Sequence, residues 1–181
     1  IPQALLVFDA TLVANGELWR MITGQLLHTN DNHLYLNIAG LALVWALHGE
    51  YYQYWRYLAV LSISLGIVGV GTYFTFSADY YYGLSGTLHF LLAWGACLDM
   101  VYLDKPIKQL KLNVSAIANH TGLLLLIGLI IKVAYENIVG GTEETAKLIG
   151  AHVAVEVHAI GVFSAIVIFM GYEHLYKKGR D

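Results

Sequence analysis

Gly83-Leu-Ser-Gly-Thr-Leu-His-Phe-Leu-Leu-Ala-Trp-Gly-Ala-Cys97 carries a serine between two glycines and a histidine one helical turn later. The rest of the stretch is apolar enough for a bilayer, in which roughly 20 apolar residues make a crossing helix. Polar groups at membrane depth are expensive and mark function by default. A second apolar segment, more than sixty residues downstream, carries His158. If the two segments pack together, Ser85 and His158 have the residue types of a nucleophile and its base.

The whole chain agrees with a membrane setting. Its 181 residues are 57% hydrophobic and 13% charged, with a mean hydropathy of +0.58; soluble domains are nearer a quarter charged. A net charge of −3 leaves no basic footprint for nucleic acid. The single cysteine, Cys97, has no disulfide partner in the chain and reads as a small packing residue. Ile1–Phe8 is too short and lacks the basic flank of a signal peptide. The chain begins without methionine, which leads us to expect a fragment or processed product.

Five spans are expected, near His33–Tyr52, Tyr57–Phe76, Leu84–Leu103, Val114–Tyr135 and Leu148–Met170, after an outer loop over 1–32 and before a tail over 171–181. Positive residues mark the cytoplasmic side. Arg56, then Lys105, Lys108 and Lys111, then Lys177, Lys178 and Arg180 fall alternately on one side. Asp9, Glu17, Asp31, Asp79, Glu143 and Glu144 fall on the other, with Arg20, Lys132 and Lys147 as its few cations. Tyr51, Tyr52, Tyr54 and Trp55 form one aromatic belt, and Tyr80, Tyr81 and Tyr82 the other. Pro106 and Gly140-Gly141 mark loops. No linker or repeat divides the chain, so one all-α polytopic membrane domain is expected. Ser85 then opens its span from outside, and His158 lies about ten residues, or about 15 Å, into the last one.

Each polar group also has a plainer reading. Glycines beside Ser85 let backbone and substrate approach, yet small residues in membrane helices also permit close packing. His158 is followed by Gly161 and Ala165 on one small face that can press against the Ser85 helix. A histidine bonded to a neighbouring span without chemical role remains the alternative. His89 points the same way as Ser85 from the same helix, so it lines the site rather than abstracting a proton. His152 lacks the small face and ranks second as base; Glu156, one turn on, is its expected buried partner. Glu156 lies about 200° around the helix from His158 and receives no catalytic role. His33 and Asn37 share a face at the outer end of the first span, where N–H groups can donate to an oxyanion. Helix capping around Asn30, Asp31 and Asn32 explains the same residues.

Taken together, Trp19-Arg20, His28-x4-His33-x3-Asn37, Gly83-Leu84-Ser85-Gly86 and His158-Ala-Ile-Gly161-x3-Ala165 resemble the rhomboid family of intramembrane serine proteases in order and spacing. The resemblance implies a rhomboid-like helical bundle with Ser85 as nucleophile and His158 as base. It implies that His33 and Asn37 help hold the oxyanion, with Gly83, Gly86 and His89 lining the site. Trp19, Arg20, His28 and Gly161 would be structural. No metal or other cofactor is implied; the partners are membrane-anchored protein substrates and the bilayer. The implied location is the bacterial inner membrane, with the site open to the periplasm.

The string Tyr82-Gly-Leu-Ser-Gly-Thr-Leu-His89 and the small size look like the rhombosortase branch. That branch is tied to substrates with a C-terminal sorting tail containing Gly-Gly. Three departures from the family pattern stand out. His89 occupies the place of an aromatic that stacks on the base, Val157 that of an alanine, and the first of six family spans is missing, so truncation is expected. Two rivals remain: a non-hydrolytic metal or haem protein, prompted by eight histidines but lacking His-Glu-x-x-His, and a pseudoprotease that only binds transmembrane segments.

Overall fold

Long apolar runs leave the backbone one economical choice in lipid, because a helix satisfies its own N–H and C=O groups. The computed structural model describes residues 3–75, 80–102 and 114–178, with 102, 114–120 and 175–178 described by backbone alone. Five long helices follow: α3 Asp31–His48, α4 Tyr54–Thr75, α5 Ser85–Tyr102, α6 Val114–Val139 and α8 Val155–Lys178. Shorter helices are α1 Ala10–Ala14, α2 Arg20–Thr23 and α7 Glu143–Ile149. Three segments are long and apolar enough to cross a bilayer: α4, Thr121–Val139 of α6 and Val155–His174 of α8. The architecture is an all-helical polytopic membrane fold. Large apolar side chains such as Phe74, Leu124, Ile131, Val167 and Met170 face outward, as lipid-facing positions require. Asp79, Lys105, Pro106, Lys108, Lys111 and Arg180 lie outside the described residues, and Lys177 and Lys178 are described by backbone alone.

Helix α5 is central and packs against α3, α4, α6 and α8. Its tightest partner is α8, where Gly86 and Gly161 let the two backbones approach closely. On the side away from Ser85, His48 Nε2 lies 3.3 Å from Asp99 Oδ2, and the Tyr51 hydroxyl donates to Asp99 Oδ1 at 2.8 Å. These contacts tie the end of α3 to α5. Gly95 makes the room, since a Cβ there would overlap the His48 ring.

The segment before α3 folds over one end of the bundle. Buried Arg20 donates from Nε to Glu17 at 2.6 Å and from its guanidinium to the carbonyls of Ala4 and Val7 at 3.0 and 2.8 Å. Trp19 is half exposed and donates to the Leu5 carbonyl at 3.3 Å. Gln25, fully buried, donates to Met21 and Leu65 carbonyls and accepts from Thr87. A two-residue antiparallel ribbon, β1 Phe8–Asp9 with β2 Tyr80–Tyr81, pairs Phe8 with Tyr81 and so anchors the approach to Ser85. No strand is expected from so apolar a sequence; pairs this short carry no periodic signal.

The last helix differs from expectation at its start. It begins at Val155 rather than Leu148, because Gly150 takes a left-handed conformation (φ 65°) that ends α7. His152 therefore sits exposed in a connecting loop, not one turn below Glu156. The expected His152–Glu156 pair does not form, and the Glu156 Oε2 atom is buried without a hydrogen-bond partner.

Candidate active site

Ser85 is the first residue of α5 and His158 stands in the first turn of α8. Both are therefore near helix starts, and the depth is nearer three residues, about 5 Å, than the ten expected from an earlier start. The His158 Nε2 atom lies 3.1 Å from Ser85 Oγ, within hydrogen-bond reach. Their separation of 73 residues in sequence is closed by the α5–α8 crossing. There Val157 packs on Gly86 and Gly161 on the Gly86 carbonyl.

His89 accompanies the pair. Its ring stacks on His158, with centroids 4.1 Å apart and planes 13° from parallel. His89 Nδ1 lies 2.7 Å from the Ser85 carbonyl and so must carry the proton, because that oxygen only accepts. The remaining nitrogen, Nε2, is left as acceptor and meets Lys132 Nζ at 3.1 Å.

Two residues that the sequence does not single out complete this wall. Glu136 Oε2 lies 3.1 Å from His158 Nδ1 and accepts from Lys132 Nζ at 2.7 Å. Lys132 and Glu136 sit one turn apart on α6. Asn137 donates to the Val155 carbonyl at 3.1 Å, fastening α6 to the beginning of α8 beside His158. Ligand-type atoms of His89, Glu136 and His158 lie within 4.8 Å of one another, a grouping that can hold a metal ion. The Lys132 ammonium already donates to two of the three, so the trio's negative charge has an internal cation.

Ser85 shares the lining of a cavity of about 670 Å³ with His33 and Asn37 of α3. Asn30 caps this helix by accepting from the His33 N–H at 2.9 Å. Asn37 donates one amide hydrogen to the His33 carbonyl at 3.1 Å, leaving its second hydrogen available. The His33 ring lies against Gly83, where a Cβ would overlap Nε2 and where φ is 105°. Glycine is required there twice over, by backbone conformation and by space. Thr29 bonds His33 Nδ1 at 3.0 Å and also the Ile149 carbonyl, linking α3 to the end of α7. His28 lies behind: its ring meets His33 edge-on at 5.1 Å, and burial lowers its pKa.

Tyr81, at the end of the ribbon, directs its phenol to the Ser85 side chain and the Gly86 backbone. Burial pushes that phenol up to about 12, so it stays protonated at any working pH. At the start of α5 the first N–H groups have no intrahelical acceptor. The cavity thus holds a hydroxyl with an imidazole in reach, the Asn37 amide as a donor, and largely apolar surroundings. Such a set suits attack on a carbonyl and capture of the resulting oxyanion.

No family model matches the sequence. Over 91 residues the chain is 41% identical to a protein of Bacillus subtilis (strain 168) named "Putative rhomboid protease YdcA". The match covers 49% of this chain and 44% of that protein, so it spans less than half of the relative's length.

Proposed function

We propose that the chain is a rhomboid-type intramembrane serine protease in which Ser85 and His158 act as a dyad. The observation that carries this reading is the 3.1 Å approach of His158 Nε2 to Ser85 Oγ inside a cavity among apolar helices. Serine alone is a poor nucleophile; a base in contact makes it competent. Partial similarity to a rhomboid-named protein supports the same reading. In it His158 takes the hydroxyl proton and returns it to the leaving amine, while Asn37 donates to the oxyanion and His33, whose Nδ1–H is engaged by Thr29, lines the site beside Gly83. Trp19, Arg20 and His28 serve the outer layer that supports these groups.

Topology follows as part of the proposal. Helices α3 and α5, of 18 residues each, run about 27 Å at 1.5 Å per residue, near the hydrocarbon thickness of about 30 Å. With the three longer helices they make five spans in a bacterial cell membrane, the cavity opening outward where acidic loops lie. Substrates are membrane-anchored proteins, and the rhombosortase likeness narrows them to those with a Gly-Gly-type C-terminal tail. Glycines there loosen the helix by about 1 kcal/mol each relative to alanine, which frees an extended backbone to reach Ser85.

Co-expression with a reporter bearing such a tail, and mass spectrometry of the new terminus, tests the substrate. Cleavage at the Gly-Gly junction is expected. Cleavage of unrelated transmembrane reporters with the tail left intact would remove the rhombosortase assignment and spare the protease. For the oxyanion site, Asn37→Ala should lower kcat by about 100- to 1000-fold, the range for one lost preorganised donor, with KM little changed. A wild-type rate in that variant would leave the backbone donors near Ser85 as the oxyanion's holders.

A further inference from the structure

We propose that Glu136 is the third member of the catalytic array, a positioning residue that holds His158 in its productive tautomer, with Lys132 fixing the carboxylate in place. The proposal rests on the Ser85–His158 reading and deepens it. For His158 to receive the serine proton at Nε2, that nitrogen must offer its lone pair, and the ring proton must sit on Nδ1. A neutral imidazole free to choose populates both tautomers. Glu136 Oε2, an acceptor 3.1 Å from Nδ1, selects the one with the proton there. The His158 ring therefore spans from carboxylate to serine through its two nitrogens, at 3.1 Å on each side.

The carboxylate is itself held. Lys132 donates to Glu136 at 2.7 Å and to His89 Nε2 at 3.1 Å, while His89 stacks on the base. Rotation of the His158 ring is thus blocked at its edge by Glu136 and at its face by His89. In the reaction the Ser85 Oγ–H bond breaks as Oγ bonds the substrate carbonyl carbon, whose π pair moves to oxygen. The proton goes to His158 Nε2, and the Nδ1 proton stays on nitrogen. The positive ring then faces an anion, which stabilises it in the transition state more than in the ground state. A carboxylate with one-fifth of its side chain exposed is screened in part, so its effect belongs at the lower end of the range for such groups.

The test uses the full chain in detergent micelles. A fluorophosphonate probe measures the reactivity of Ser85, with Ser85→Ala as control, and a transmembrane peptide substrate gives kcat and KM. Glu136→Gln, which keeps the shape and removes the charge, should lower labelling rate and kcat by at least about 100-fold, short of the roughly 10 000-fold of a fully buried carboxylate partner, with KM nearly unchanged. Glu136→Asp should recover part of the loss. In nitrogen-15 histidine NMR, wild type should show a low-field Nδ1–H resonance that His158→Ala removes. Absence of that resonance in wild type overturns the proposal whatever the variants do. Glu136→Gln within threefold of wild type, in a protein whose Ser85 labels normally, overturns it alone. Wild type that does not label at Ser85 overturns the protease reading and this one with it.

Discussion

Ser85→Ala is expected to reduce cleavage of a membrane-anchored substrate to background, and His158→Ala to do the same. In serine hydrolases the nucleophile and its base work as a unit, and losing either costs roughly 10⁶-fold in kcat. The double variant should therefore be no worse than either single one. Folding should survive both changes. Ser85 is only half-buried at a helix start, and His158, though buried between α5 and α6, borders the cavity, where a smaller side chain leaves space rather than overlap. A gel assay of cleavage, paired with thermal unfolding in detergent, separates lost chemistry from lost structure. Substantial cleavage by His158→Ala, together with inactivity in His152→Ala, would show that the base had been misassigned. The geometry weighs against that outcome, because His152 is exposed in the loop before α8.

Which parts of this arrangement can be read from sequence depends on the kind of signal each carries. The long helices are legible because lipid forces one backbone solution on any apolar run of sufficient length. Ser85 and His158 stand out because each is a polar residue beside small ones in an apolar segment, and Gly161 and Ala165 mark the face that turns toward α5. Glu136 carries no such mark. Lys132-x3-Glu136 is an i,i+4 pair of a kind common on solvated helix faces, and only the rotation of α6 against α8 turns it toward His158. Its recognition needs three helices at once. The start of α8 is legible in hindsight at Gly150, a residue suited to a left-handed cap, but the apolar count runs through it from Leu148. The same count sets His152 on a helix, one turn from Glu156. Tyr81 reads as an interfacial aromatic, whereas the β1–β2 ribbon turns it under Ser85.

Gly161→Val should cost both stability and activity, through the backbone rather than through any functional group. Gly161 faces α5 so closely that a Cβ would overlap the Gly86 carbonyl and stand 3.0 Å from the Phe90 nitrogen. Those are backbone atoms of a helix and cannot rotate away as a side-chain tip could. The helices must separate to accept the valine, and overpacking of this kind costs about 1–3 kcal/mol. Separation also draws His158, three residues before Gly161, away from Ser85, one residue before Gly86. Misplacement by about 1 Å can lower a rate by about 100-fold, so kcat should fall at least that far even in the fraction that stays folded. Gly161→Ala meets the same overlap and should behave alike to a smaller degree. Gly128→Ala in α6 is the control: nothing lies within 4 Å of its added methyl. Helix propensity there favours alanine by about 1 kcal/mol. Thermal unfolding and kcat measured on all three variants decide the matter. Gly161→Ala as stable and as active as wild type would mean that α5 and α8 do not meet through these glycines, and the closeness of Ser85 to His158 would lose its structural cause.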